Sequence, residues 1–474
     1  MEKHLDLPPV MKAMGGIFLK NGFTLYIVGG YVRNRLLGLP VTDSDICSGA
    51  TPSEAAAFLR LEGMHIVEKA PEFGTIEIHA VFDGKKHIFE HTTFRSDIYG
   101  AGGSHRPEHV DFTGDILPDA VRRDFTVNAL YLNACTGEVL DVLGRGLSDL
   151  ERRRIGAAHE NPFVTLRDDG LRLMRLVRLA SELGFDIDEG LYDAAKENSA
   201  LLKGISKERI QAELKKIMLA DTKYPHAEPS GFPHKKGMLL LDSLGLLSYI
   251  LPSLTACKGV LQNKKYHAFD VFMHCIESFA VAGPDLATRL AALLHDVGKP
   301  LSLFSQGNMY GHEKAGAELV RSELDSLRFD AKTVKTVVLL VQNHMFDLDN
   351  KAKPDTVRRR VAKLGTEVFK KLIEVRRADF IGSGVEINAV DSADKWQREL
   401  DRMTAENAPL NVNDLVLSGS EIMRELGIPA GPVIGRIKEG LFRICLQKPS
   451  QNNRQNLLFH ARQLYGSIKG TSEK

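Results

Sequence analysis

A chain of 474 residues, 43% of them hydrophobic, exceeds one ordinary core, so about two to four structural units are expected and a small stapled scaffold is excluded. Sixty-two Lys and Arg against 61 Asp and Glu leave a formal charge of +1, so the chain as a whole has no general attraction for phosphate, and any nucleic-acid binding falls to local basic patches. Five scattered cysteines without CxxC spacing, no apolar run of membrane-spanning length and no clean signal-peptide core together read as a soluble cytoplasmic protein with reduced thiols.

From Thr24 to about Asp141, strand-like runs alternate with helical ones: TLYIV, SDIC, TIEIHAVF, HIFEHTTF, ALYLN and VLD. They predict a mixed sheet with helices packed on it. After Ile27 a tight turn at Gly29 and Gly30 leads into the helical pattern YVRNRLLG, which presents backbone N–H groups at a helix N-terminus and suits an anion. Arg33 lies one turn into that helix, within reach of the same phosphates. Beyond Gly38 and Pro40 the chain enters TDSDIC, where strand alternation puts Asp43 and Asp45 on one face. Adjacent carboxylates repel unless cations lie between them, and Mg²⁺ prefers few carboxylates plus phosphate oxygens. Thr51 to Glu54 (TPSE) reads as a capping box that opens a helix to about Glu62.

The segment GGYVRNRLLGLPVTDSDIC resembles the signature of class II tRNA nucleotidyltransferases, the CCA-adding enzymes, with bacterial poly(A) polymerases as close relatives. The family carries Asp where this chain has Asn34. The resemblance implies an α+β multidomain protein: a mixed-sheet nucleotidyltransferase head (1–144), a helical base-selecting and RNA-binding neck (145–225), a helical metal-binding domain (238–404) and a helical tail (405–474). It implies tRNA, CTP and ATP as partners, and Asp43 and Asp45 as the catalytic Mg²⁺ ligands. Glu90, in a strand beside them, is a candidate third carboxylate, weighed against a surface charge.

Further along, IYGAGGSHRPEHV has the composition of a mobile loop, and the family's corresponding loop helps switch from C to A addition. VRRDFTVNALYLN resembles the family's nucleotide- and ribose-contacting motif, which implies roles for Arg123, Asp124 and Asn128. In RDDGLRLMRLVRLASELGF, Asp169, Arg172, Arg175 and Arg178 recur every three residues and are expected to form one helical stripe. Cytosine and adenine both offer an exocyclic amine donor beside a ring-nitrogen acceptor, so a carboxylate plus a guanidinium would take C and A and refuse U and G. The resemblance gives Asp169 and Arg172 this base-pairing role and Arg175 and Arg178 the triphosphate. Asp168 stands where the family has Glu. SKERIQAELKK resembles the helical motif that supports the neck.

The second half carries RLAALLHDVGKP, which resembles the HD phosphohydrolase superfamily; His274, His295, Asp296, His312, His344 and Asp379 follow in the order of its ligands. Imidazoles mixed with carboxylates suit Mn²⁺, Fe²⁺, Ni²⁺ or Zn²⁺. The stretch from Ser418 to Gln447 resembles the tail region of the family. The leading expectation is CCA addition. The alternatives are a poly(A) polymerase or partial CC- or A-adding enzyme, an HD phosphohydrolase with a vestigial head, and a non-catalytic tRNA-binding protein.

Overall fold

The run Thr75–Phe82 alternates covered and more open side chains along most of its length, as a strand with one packed face must. In the computed structural model, which describes residues 3–41, 44–98, 100, 108–224, 231–385 and 392–472, it is one of nine strands in the first 140 residues. These are β1 (Tyr26–Val28), β2 (Asp45–Ser48), β3 (His65–Ala70), β4 (Thr75–Phe82), β5 (Lys85–Thr93), β6 (Arg95–Ile98), β7 (His109–Phe112), β8 (Tyr131–Asn133) and β9 (Val139–Leu140). Seven of them form a sheet in the order β3-β4-β5-β2-β1-β8-β9, and β6 pairs with β7 as a separate ribbon. Within the large sheet, β2 and β5 run parallel and every other pair is antiparallel. The mixed sheet expected from the sequence is therefore present. Three strands escape the sequence reading: β3 at the sheet edge, and both members of the ribbon.

Helices α1 (Pro9–Lys20), α2 (Gly30–Leu37) and α3 (Pro52–Leu61) belong to this sheet-containing part. The Phe18 ring of α1 meets the Phe58 ring of α3 edge to face, with centroids 4.9 Å apart, and also packs on His91 of β5. The capping box opens α3 as read: Glu54 N–H donates to the Thr51 hydroxyl, and Thr51 N–H donates to the Glu54 carboxylate at 2.9 Å. Then follow α4 (Ile116–Val121), α5 (Gly146–Glu151), α6 (Pro162–Asp168), α7 (Arg172–Leu183), α8 (Glu189–Glu197) and α9 (Lys207–Met218). A two-residue parallel pair, Arg154–Ile155 with Asp186–Ile187, is the strand pairing described beyond β9.

The expectation of one continuous helical stripe through Asp169 needs correction. Helix α6 ends at Asp168, Asp169 takes an extended conformation (φ −146°, ψ 108°), and α7 begins only at Arg172. Gly170 in the break lies against Leu201 and Ile205, where a Cβ would meet side-chain and backbone atoms at 3.2 to 3.3 Å. The break thus follows from a close approach of distant chain, which local periodicity cannot register.

The chain divides into two units, Met1–Thr255 with Ser326–Arg328, and Ala256–Asp325 with Phe329–Lys474. Among its described residues, the regular elements of the second are all helices. Near its C-terminal end, Leu417, Ile422, Ile437, Leu441, Cys445, Leu457 and Ala461 form a small core of their own. No helix among the described residues is long and apolar enough to cross a membrane.

Candidate active sites

Gly29 ends β1 and caps α2 with φ +75°, a left-handed backbone that favours glycine. Antiparallel pairing sets Val28 opposite Asp45, and the Asp45 Oδ2 lies 3.7 Å from where a Cβ on Gly29 would stand. The turn into the helix and the carboxylate are therefore neighbours, and a Cβ at Gly29 would meet the carboxylate at ordinary van der Waals distance while straining the positive-φ backbone. Glu90 is in register with Asp45 across the parallel β2–β5 pair. Partial burial and the negative charge of Asp45 raise the Glu90 carboxyl above its ordinary value. Such a carboxylate neighbourhood gains from a cation. Asp43 lies outside the described residues, as do positions 99 and 101–107 of the expected loop.

Arg33 is buried on the first turn of α2, and its hydrogen bonds go to amide oxygens. Its Nε and Nη2 donate to Asn34 Oδ1 at 3.1 and 2.9 Å, and its Nη1 donates to Asn128 Oδ1 at 2.5 Å. Asn34 in turn donates to the carbonyl of Pro40 and to the Tyr224 hydroxyl, each at 2.8 Å. Burial pulls Arg33 below its usual range, the mark of a cation removed from water. A guanidinium held by neutral amides keeps a strong demand for an anion. The departure at position 34 therefore does more than alter one hydrogen bond, because Asn34 orients this guanidinium without neutralising it.

Asn128 donates to Asp124 Oδ1 at 3.0 Å, and Arg175 of α7 donates to Asp124 Oδ2 from Nε at 2.8 Å and from Nη2. Burial would raise the Asp124 carboxyl, but Arg175, Asn128 and Arg172 hold it well below the usual carboxylate range. One continuous network thus joins Arg33, Asn128, Asp124 and Arg175. Arg172 donates from Nη1 to the carbonyl of Thr165 at 2.9 Å and from Nη2 to that of Arg122 at 2.6 Å. Asp168 lies 3.8 Å from Arg172 Nη1, a looser approach than either of these. Asp169 accepts from the Leu171 N–H at 3.0 Å and lies 3.5 Å from Arg209 Nη2.

Arg178 turns differently from its neighbours on α7. It is buried, and donates to Glu213 of α9 at 2.6 Å and to Glu182 at 3.1 Å. Two carboxylates occupy its fork, so its place is the packing of α7 on α9.

Arg123 is also tied within the protein: Nη2 donates to Asp119 at 2.9 Å and Nε to the Tyr131 hydroxyl at 2.9 Å. Asp119, which sequence reading did not single out, also accepts from Arg122 and Tyr131. Burial alone would raise its carboxyl, yet Arg123 and Arg122 bring it down to about 2. Asp119→Asn is expected to cost about 3 kcal/mol, because it takes the carboxylate partner from Arg123 and the nearer of two from Arg122, which keeps Asp97 at 3.5 Å. A urea unfolding midpoint at neutral pH measures the loss. The folded value of about 2 lies below the ordinary 3.8, so this stabilisation is complete above about pH 4 and lost as pH falls toward 2. The gap between native and variant should close over that window.

The second constellation lies wholly in the helical unit. His274 comes from the helix Val271–Val281, His295 and Asp296 follow Leu286–Leu294, His312 opens His312–Ser326, His344 follows Ala331–Asn343, and Asp379 lies in Thr366–Gly382. Gly298 permits this convergence: a Cβ there would stand 2.1 Å from the His312 carbonyl oxygen. The imidazoles approach in pairs, His274 Nε2 to His295 Nε2 at 3.1 Å and His312 Nε2 to His344 Nε2 at 3.2 Å. Asp296 and Asp379 face them at 3.1 to 3.6 Å. Lys299, one turn after Asp296 and given no role by sequence reasoning, donates to Asp296 Oδ2 at 2.5 Å. All six expected ligands are thus brought together, beside a cavity of about 730 Å³ that Lys299 and Arg376 also line. Convergent imidazole nitrogens and carboxylates are a donor set that fits a divalent metal ion.

Residues 25–156 match the family described as the Poly A polymerase head domain, residues 184–228 that described as probable RNA and SrmB-binding site of polymerase A, and residues 271–379 the HD domain. A CCA-adding enzyme of Lactococcus lactis subsp. cremoris is 29% identical over 468 residues, 98% of this chain and 97% of that protein. The CCA-adding enzyme of Limosilactobacillus reuteri is 41% identical over 198 residues, 42% of this chain and 46% of that protein. Among solved structures, the Bacillus stearothermophilus CCA-adding enzyme in complex with CTP superposes with a TM-score of 0.69 at 24% identity, covering 99% of this chain and 100% of that one. The Thermotoga maritima CCA-adding enzyme complexed with tRNA gives 0.61 at 16% identity over 99% and 100% of the two chains. These likenesses in structure concern the fold, and the sequence matches cover both the catalytic head and the helical half. The chain thus carries the head domain of the poly(A) polymerase nucleotidyltransferases and an HD domain, both of which imply dependence on divalent metal, and it is similar to a CCA-adding enzyme over nearly its whole length.

Proposed function

We propose that this chain adds C and A nucleotides from CTP and ATP to the 3′ end of tRNA without a nucleic-acid template. One observation carries the reading: the Gly29–Gly30 turn abuts Asp45, and Arg33 behind it is linked through Asn128 and Asp124 to Arg175 of α7. Mg²⁺ held by Asp43 and Asp45 would supply activation of the attacking 3′-hydroxyl and charge stabilisation of the leaving pyrophosphate. The N-terminal N–H groups of α2 and the Arg33 guanidinium bind the triphosphate, with Arg175 at its far side. Asp124 fixes Arg175, and Asn128 fixes Arg33, so the two cations are set before the nucleotide enters. Asp169 accepts from the exocyclic amine shared by C and A, and Arg172 donates to the adjacent ring nitrogen. Arg123 and Arg178 act as positioning residues, through Asp119 and Glu213. Glu90 sits beside Asp45 as the third carboxylate.

The functional division is head 1–144, neck 145–225, HD domain 238–404 and tail 405–474. The five cysteines are all free, as a reducing cytoplasm would keep them. The HD centre adds a second reading, metal-dependent phosphoester hydrolysis. The buried ligand set and the Lys299 and Arg376 side chains at the cavity wall favour it. Manganese, iron, nickel or zinc suits its imidazole-rich ligands.

The test is a tRNA ending at its discriminator base, offered CTP alone, ATP alone and both. The expected products stop after two C residues with CTP alone and after CCA with the mixture. Open-ended growth on ATP alone would instead identify a poly(A) polymerase, and growth that halts at CC in the mixture would identify a CC-adding enzyme.

A further inference from the structure

The amide of Asn34 fixes the direction of every hydrogen bond around it. The Arg33 guanidinium lies 3.1 and 2.9 Å from one end of that amide, through Nε and Nη2. A guanidinium only donates, so this end is the oxygen and the other end is the NH2 group. The two amide protons then go to the Pro40 carbonyl and to the Tyr224 oxygen, each at 2.8 Å. An amide NH2 accepts nothing, so the Tyr224 oxygen is the acceptor in this bond and its own O–H points elsewhere. Among the described residues no acceptor receives that proton, although Tyr224 is only 5% exposed.

The surroundings of this proton are positive. Arg33 is equally enclosed, and its hydrogen bonds to Asn34 and Asn128 bring it no carboxylate. The Tyr224 hydroxyl lies against the same guanidinium. Arg178 and Glu182 act on Arg33 from α7 in opposite senses and are joined to each other at 3.1 Å. The N-terminus of α2 comes to the same place, since a Cβ on Gly30 would stand 3.5 Å from Arg33 Nη2. A desolvated phenol proton beside a guanidinium held by neutral amides suits an anionic oxygen, which satisfies both donors at once.

We propose that the Tyr224 hydroxyl binds the triphosphate of the incoming nucleotide together with Arg33, and that Asn34, by being an amide, leaves the phenol proton free to do so. The inference rests on the triphosphate site proposed above, and adds to it a residue that lies 190 positions beyond Asn34 and has no place in the head. Asn34→Asp would offer Tyr224 an acceptor and Arg33 an anion, and would so withdraw both donors from the phosphate.

The experiment uses the full chain with Mg²⁺ and measures the dissociation constants of CTP, ATP and pyrophosphate for the parent, Tyr224→Phe, Asn34→Asp and the double variant. Tyr224→Phe keeps the ring, with Lys223 Nζ 5.5 Å from its centroid, and deletes only the hydroxyl. It is expected to weaken all three ligands alike, by about 10- to 100-fold, the worth of a hydrogen bond to a charged group. Asn34→Asp should weaken all three as well, and adding Tyr224→Phe to it should cost nothing further, because the hydroxyl is then already turned to position 34.

Unchanged binding in Tyr224→Phe, a loss confined to some of the three ligands, or losses that multiply in the double variant would each overturn the proposal and leave the triphosphate site at Arg33 standing. Unchanged or tighter binding in Asn34→Asp would do the same, so the test survives a Tyr224 variant that fails to fold. A parent protein that binds none of the three ligands would remove the triphosphate site itself.

Discussion

Asp45→Ala is expected to lower nucleotide addition roughly a thousandfold, equivalent to about 4 kcal/mol of transition-state stabilisation, while leaving phosphoester hydrolysis at the HD centre intact. The effect is large because the side chain combines two roles in one place. Its carboxylate stands against the Gly29 turn, where the triphosphate would enter, and opposite Glu90 across the sheet. Removing it would take away a proposed metal ligand and leave Glu90, whose carboxyl is raised by partial burial and by Asp45, without that neighbouring charge. Single-turnover addition of one C to a CC-lacking tRNA separates this chemical step from product release. Equal loss of addition and of HD hydrolysis would contradict two independent centres, since the ligands of each are drawn from a different unit of the chain.

Asp169→Ala is expected to relax base choice by about 10- to 100-fold, the roughly 1–3 kcal/mol that one specific base contact supplies. The placement of the side chain suits this proposed contact. Its position in the break between α6 and α7 frees it from the helix stripe, and the Leu171 N–H fixes one carboxylate oxygen. Arg209 approaches the other oxygen only at 3.5 Å, a contact an incoming amine could better. The readout is UTP incorporation relative to CTP, with thermal unfolding as a control for the fold. Selectivity unchanged in a well-folded variant would remove Asp169 from base recognition.

Features governed by neighbours in sequence were legible in the sequence. The Thr51–Glu54 box, the alternation of β4 and the Gly29 turn each depend on a few adjacent residues, and each is where the sequence puts it. Strand β3 was not legible, because HIVEKA buries only Ile66 and so shows no alternation. The β6–β7 ribbon was hidden for a related reason: RSDI and HVDF bury no residue fully, and their pairing is set by each other. The break at Asp169 required Leu201 and Ile205, which approach from more than 30 positions away. Side-chain partnership was the least accessible layer. Nothing in the spacing of Arg172, Arg175 and Arg178 distinguishes a guanidinium joined to Asp124 from one enclosed by Glu182 and Glu213. For the HD region, the resemblance to the HD pattern named six candidate ligands, and the fold brings all six together.

A structure of the chain with Mg²⁺ and a non-hydrolysable CTP analogue tests the central claim most directly. The account predicts the triphosphate at the N-terminus of α2 beside Arg33, a cation shared between it and Asp45, and the cytosine edge on Asp169 and Arg172. A nucleotide bound with its phosphates away from Gly29 and Asp45, or with its base edge turned from α7, would contradict it.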